Sequence, residues 1–253
     1  MFTWLKKLWN KIAADRNRSA ALSYNQSGLL KRSKNDLAGA LADFNKAIEL
    51  NPNFPAAYCN RGVVKRGKND LDGAFADYEK AIELSPRLAA GYSNRGDVKY
   101  KKSDLDGAVA DFNRAIELDP FLASAYNGRG QARKAKGDLD GAMVDYTKAI
   151  ELNPKFAEAY SNRGLVKNKK DDLDGAIADF NKAIELKPDL LAAYSNRGMA
   201  KKSRNDLEGA MADYSKALVL NPNQAEVYNN RGIIKEKKEI WMAPCWNTTG
   251  RLN

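Results

Sequence analysis

Apolar and polar residues are distributed along the chain in a helical rhythm that returns every 34 residues. With repeats counted from residues 21, 55, 89, 123, 157, 191 and 225, the second half of each of the first six carries apolar side chains at positions 17, 20, 21, 24, 27, 28 and 30. In the repeat that begins at residue 55 these are Leu71, Ala74, Phe75, Tyr78, Ala81, Ile82 and Leu84. Such three- and four-residue spacings put them on one stripe of an amphipathic helix. Aspartate at position 16 (Asp36, Asp70, Asp104, Asp138, Asp172, Asp206) offers an N-cap carboxylate. Proline at position 32 (Pro52, Pro86, Pro120, Pro154, Pro188, Pro222) cannot continue the helix. The first half holds tyrosine at position 4, from Tyr24 to Tyr228, and glycine at position 8, from Gly28 to Gly232. Glycine weakens a helix there, so its use is close approach of a neighbouring helix. The pattern predicts helices over positions 2–14 and 17–30 in six full repeats, with the first half of a seventh from residue 225. A strict period of this length means stacked copies of one small unit.

Alanine recurs at positions 20 and 27 (Ala74 and Ala81 in the second repeat), and position 24 alternates Phe44, Tyr78, Phe112, Tyr146, Phe180 and Tyr214. With Tyr58, Gly62 and Pro86, these residues resemble the tetratricopeptide repeat, over residues 21 to about 238. The resemblance implies an all-α, right-handed superhelical solenoid of stacked helix-turn-helix repeats. It also implies a scaffold that binds protein or peptide partners, without naming one. RNA-reading pentatricopeptide repeats fit less well, because their period is longer.

Two positions depart from that family pattern. Position 7, leucine in the family, is Arg61, Arg95, Arg129, Arg163, Arg197 and Arg231, with Ser27 in the first repeat. Position 11, tyrosine in the family, is lysine or arginine throughout, from Lys31 to Lys235. The aliphatic stems of these residues can cover apolar surface. Aspartate recurs at position 23 (Asp43, Asp77, Asp111, Asp145, Asp179, Asp213), so Arg61, Arg95, Arg163 and Arg197 are expected to pair with one of the same or the preceding repeat.

Composition narrows the function. Histidine is absent, which removes the commonest general base and metal ligand. The aspartates recur in each repeat, whereas an active site occurs once. The expectation is therefore no enzyme, no catalytic residue, no metal and no cofactor. Cys59 and Cys245 lie far apart, against a disulfide framework. No apolar run is long enough to span a bilayer, and the reading is of a cytoplasmic protein. The net charge of +10 gathers at the ends of the first helices, as in Lys65, Arg66 and Lys68. Such clusters complement helix C-termini and the acids that open the next helix, and their excess favours acidic partners.

Asparagine at position 6 (Asn60, Asn94, Asn162, Asn196, Asn230) is broken by Gln26 and Gly128. Asparagine is a mediocre helix former, so propensity does not account for it. The resemblance places position 6 in a concave groove, where an amide can both donate to and accept from a bound backbone. Arg32, Arg66, Lys134 and Lys202 at position 12 follow on the same helical face. The other readings of the ladder are a solvated face or an amide bond that links repeats. The carboxylate clamp of chaperone-binding relatives is absent: position 5 lacks lysine and position 9 is mostly apolar, as in Leu29, Val63, Leu165, Met199 and Ile233.

Residues 1–20 and 239–253 lie outside the repeat, and all four tryptophans are there. Trp4, Leu5, Leu8, Trp9 and Ile12 form one stripe beside Lys6, Lys7 and Lys11. That segment is read as a cap over the first repeat or as a helix lying on an anionic membrane surface. The tail, with Trp241, Pro244 and Trp246, follows a lone first helix that serves as a C-terminal cap or reflects a truncated gene. The expected function is an interaction scaffold that holds an extended or helical segment. A basic solenoid for nucleic acid or another polyanion comes second, and a membrane-surface adaptor third.

Overall fold

Helices begin and end where capping residues and prolines stand. The computed structural model describes the backbone of residues 2–242 and the side chains of residues 3–236. Thirteen helices and no strand occur among the described residues. The chain divides into two compact units, Met1–Asp138 and Leu139–Asn253. The first holds α1 (Phe2–Ser33), α2 (Leu37–Leu50), α3 (Pro55–Gly67), α4 (Leu71–Leu84), α5 (Ala89–Lys101), α6 (Leu105–Leu118) and α7 (Ala123–Ala135). The second holds α8 (Leu139–Leu152), α9 (Ala157–Lys169), α10 (Leu173–Leu186), α11 (Leu191–Ser203), α12 (Leu207–Leu220) and α13 (Ala225–Met242). Within the units, α1 packs on α2, α3 on α4, α5 on α6, α9 on α10 and α11 on α12. Each such pair is one repeat.

The second helices run over positions 17–30, as the apolar stripe predicts. Asp70 accepts the Gly73 amide at 2.9 Å, and Asp104, Asp172 and Asp206 cap the same way. A Cβ on Gly73 would lie 2.3 Å from Asp70 Oδ2, so glycine three residues on leaves room for the capping carboxylate in this rotamer. The first helices run over positions 1–13 and close with a residue of positive φ at position 15: Asn35, Asn69, Ser103, Asp171, Asn205 and Gly137. The amide of Asp36 returns to the Lys31 carbonyl and that of Asn35 to the Arg32 carbonyl. This is a Schellman closure, and short polar residues tolerate the left-handed conformation it needs.

The position-8 glycines do admit close approach. A Cβ on Gly62 would meet the Tyr78 ring at 2.7 Å, and one on Gly164 the Phe180 ring at 2.8 Å. Phe44, Tyr78, Phe112, Phe180 and Tyr214 are therefore almost fully buried beneath the first helix of their own repeat.

Both ends differ from the repeat frame. α1 runs unbroken through residue 20 as one 32-residue helix, and neither glycine nor proline interrupts it before Gly28. At the other end α13 continues past residue 238 to Met242. The rest of the tail, and the side chains of Trp241, Pro244, Cys245 and Trp246, lie outside the described residues.

Candidate peptide-binding face

The face in question is made by the first helices, whose neighbours α3 and α5, and α9 and α11, contact one another. Its edge is set by the position-7 arginines. Arg61 donates to both oxygens of Asp77 at 2.9 and 2.6 Å, and Arg95 to Asp111 at 2.8 and 2.8 Å. Arg163 and Arg197 grip Asp179 and Asp213 likewise. The expected pairing is thus within the same repeat and bidentate, the geometry a planar guanidinium favours. The position-11 lysine completes each clamp, as Lys167 does on Asp179 at 2.9 Å. Arg61 also donates to Asn45 of the preceding repeat at 2.8 Å, and Arg197 to Asn181 at 2.6 Å. Each arginine lies over its own position-4 tyrosine, with Arg61 5.4 Å from the Tyr58 centroid. Leucine could not join two repeats in this way. In the first repeat, burial would raise the Asp43 carboxyl, but hydrogen bonds from Lys31 and Ser27 hold it below its ordinary 3.8. That stability is present above pH 3.8 and is lost as pH falls through the lowered value.

The asparagine ladder is half-buried, and part of it links repeats. Asn60 Nδ2 donates to Asn25 Oδ1 at 2.9 Å, and Asn94 Nδ2 to the Cys59 sulfur at 3.8 Å. The expectation that the ladder amides are free of inter-repeat bonds is corrected for these two and for Asn230, whose oxygen accepts from Lys202 of the preceding repeat. Position 5 of one repeat faces position 6 of the next, a relation that only the stacking reveals. One donor of the Asn60 and Asn94 amides is so engaged, and the oxygen of each still has acceptor capacity. Burial pushes the Cys59 thiol up, with the Asn94 hydrogen bond opposing, so this sulfur is an inert partner.

Position 12 reaches across to the next first helix. Lys202 Nζ donates to Asn230 Oδ1 at 2.6 Å, and Arg66 pairs with Asp97. Arg32, Lys134 and Asn162 occupy equivalent half-buried places. Asp97 replaces the apolar residue of most repeats at position 9, and only the structure shows its partner. Burial raises its carboxyl above 3.8 while Arg66 opposes. The folded state therefore binds this proton more readily than the unfolded chain does, a benefit lost as pH rises through the raised value. Asp97→Val together with Arg66→Leu, which removes both charges, is expected to raise stability at pH 7 by about 1 kcal/mol, with less gain at pH 3. Thermal melts at the two pH values measure this, and a destabilised variant at pH 7 would show that the ion pair is worth more than apolar packing.

Asn196 and Asn230 come together with residues that the sequence did not single out. They line a cavity of about 200 Å³ beside α11 and α13, with Leu191, Met199, Val227, Ser195 and Tyr214. The Ser195 and Tyr214 hydroxyls are buried there without a hydrogen-bond partner. Burial first, then Glu226 and Asp213, push the Tyr214 hydroxyl up to about 12, so it remains a donor at neutral pH. The alternation of phenylalanine with tyrosine at position 24 was the one signal of this, because a core position gains nothing from a hydroxyl.

The basic clusters are largely neutralised. Besides the clamps, Lys102 pairs with Asp72 at 2.7 Å and Arg204 with Asp174 at 2.6 Å, each to the preceding repeat. Lys136 with Asp106 and Lys170 with Asp140 repeat the pattern. These exposed pairs contribute little each, but they leave less free positive charge than the sequence suggests.

Family models described as "TPR repeat" match residues 28–66, 64–103, 96–137, 130–171 and 200–238, and one described as "Tetratricopeptide repeat" matches 157–190. The chain belongs to the tetratricopeptide-repeat family, and it is an all-α repeat solenoid. No curated protein matches it in sequence. Among solved structures it is similar to the hetero-tetramer Cut9–Hcn1 of the APC/C (TM-score 0.82, 18% identity, 90% of this chain and 46% of that one). That likeness spans less than half of the larger chain and shows the fold alone. It is also similar to YrrB, described as a TPR protein with an unusual peptide-binding site (TM-score 0.55, 25% identity, 75% of this chain and 97% of that one). A third is PilF of Pseudomonas aeruginosa (TM-score 0.73, 17% identity, 87% and 99%). Proteins of this family are generally non-enzymatic scaffolds for protein–protein interaction. No helix among the described residues is long and apolar enough to cross a membrane.

Proposed function

We propose that the first-helix face holds an extended peptide segment in a concave groove, with the position-6 asparagines reading its backbone. The observation that carries this is the cavity lined by Asn196 and Asn230, where two buried hydroxyls lack partners. Buried polar groups are normally satisfied, so such hydroxyls are what a bound backbone or polar side chain would complete. Leu191, Met199 and Val227 supply apolar wall for the same segment. The likeness to YrrB, whose description names a peptide-binding site, agrees with this reading. The net charge of +10 favours acidic segments. The polyanion alternative is weaker, because carboxylates already hold many of the cluster cations.

Peptides selected from a displayed random library on the full chain provide the test. Asn196→Ala with Asn230→Ala is expected to weaken the selected peptides at least tenfold, a loss of more than about 1.4 kcal/mol. The melting temperature should stay near that of the parent. Affinity should change little between low and moderate salt, unlike phosphate binding. Unchanged affinity in the double variant, or selection of no peptide at all, overturns the reading.

A further inference from the structure

Residues 3–19 of α1 are exposed on every side. At 1.5 Å per residue this is a rod of roughly 25 Å. Its apolar stripe has nothing packed over it: Trp4 is 65% and Trp9 70% exposed, and Leu5, Leu8 and Ile12 are exposed as well. At 100° per residue the five side chains fall within an arc of roughly 140°. Lys7 and Lys11 border one edge of that arc and Lys6 lies beyond the other, and no acid occurs before Asp15.

We infer that α1, between Trp4 and Ile12, lies in the plane of an anionic membrane surface. Its tryptophans would sit at headgroup level and its lysines against lipid phosphates. Charge decides the occupant. A second copy would set the same uncompensated lysines against one another, whereas an anionic lipid surface neutralises them. Side-chain type agrees, since a tryptophan ring combines an apolar body with a polar edge and suits the interface. Length agrees too. The stripe covers roughly 12 Å of axis, far short of a span, so the helix lies on the surface and does not cross it. Membrane attachment of this kind does not depend on what the repeats bind.

Flotation of the full chain tests this with vesicles of phosphatidylcholine alone and of phosphatidylcholine mixed with phosphatidylglycerol. The chain is expected to float with the mixed vesicles and to bind those of phosphatidylcholine at least tenfold less. Leu8→Glu with Trp9→Glu should abolish flotation, and Lys6→Gln, Lys7→Gln and Lys11→Gln together should weaken it at least tenfold. Neither set should move the melting temperature, because these side chains are exposed. In a protein carrying Trp241→Phe and Trp246→Phe, the emission of Trp4 and Trp9 should shift to the blue on binding. Absence of flotation, or flotation that survives Leu8→Glu with Trp9→Glu, overturns the inference. So does a stripe whose disruption only dissociates a dimer in light scattering.

Discussion

Replacing Phe112 by alanine is expected to lower the stability of the surrounding repeats by about 3–5 kcal/mol. The ring is fully buried and lies among three helices. A Cβ on Gly96 of α5 would lie 3.0 Å from it, and one on Gly128 of α7 only 2.4 Å. The corresponding approach to the position-8 glycine is closer elsewhere, 2.6 Å at Gly28 and 2.7 Å at Gly62. Phe112 has therefore moved off its own first helix and into the space left by the missing side chain at Gly128. Alanine would empty that junction on both sides, removing the contact between α6 and α7 along with the intra-repeat one. A stacked array gains much of its stability from such nearest-neighbour contacts. Arrays also unfold in parts, so the loss is best read by native-state hydrogen exchange on α5 to α7 together with denaturant unfolding. Gly128→Ala supplies the control. In the parent it should destabilise by about 1–3 kcal/mol through the clash with the ring. In the Phe112→Ala protein the same change should be neutral or helpful, because alanine is the better helix former. A loss below about 1 kcal/mol for Phe112→Ala, or additive effects of the two changes, would show that the ring does not fill this junction.

This case also shows which parts of the structure the sequence makes legible. The aspartate caps, the proline stops and the arginine–aspartate pairs could be read because each joins residues within one repeat, whose internal spacing is constant. Contacts between repeats could not be read in this way. The bond from Asn60 to Asn25 spans 35 positions and that from Arg66 to Asp97 spans 31, so both depend on the offset between stacked helices. That offset follows from packing, not from any single motif. The unbroken α1 is illegible in the sequence for another reason. The repeat frame suggests a boundary at residue 20, yet Phe2–Ser27 contains no glycine or proline to break the helix. The cavity beside α11 and α13 was half legible: two of its asparagines stand in the ladder, while Ser195 looks like any small residue until its hydroxyl is found buried.

The clamps predict the second large effect. Asp179→Ala is expected to destabilise α9 and α10 by about 3 kcal/mol, the lower end of the range for removing one partner of a buried ion pair. The Asp179 side chain is 7% exposed, and Arg163 and Lys167 are 18% and 22% exposed. The lower figure follows because the cations keep some access to water. Alanine leaves a guanidinium that had two bonds to the carboxylate, at 2.9 and 2.8 Å, and an ammonium that had one ion pair at 2.9 Å. Arg163 retains only its contact to Thr147 at 3.3 Å and its place over Tyr160. Asp179→Asn keeps the shape and loses the charge, so it should fall between parent and alanine. The decisive variant removes all three charges at once. Arg163→Leu and Lys167→Tyr restore the side chains that the family pattern carries at these positions, and Asp179→Ala removes the acid they would otherwise strand. Buried ion clusters replaced by packed apolar groups are often no less stable than the original. The triple variant should therefore lie within about 1 kcal/mol of the parent, above Asp179→Ala alone. Urea unfolding of the three proteins, followed by circular dichroism, compares them. If the single change were harmless, these charges would be solvated rather than buried. If the triple were as damaging as the single, the clamp would supply net stability that apolar packing cannot replace.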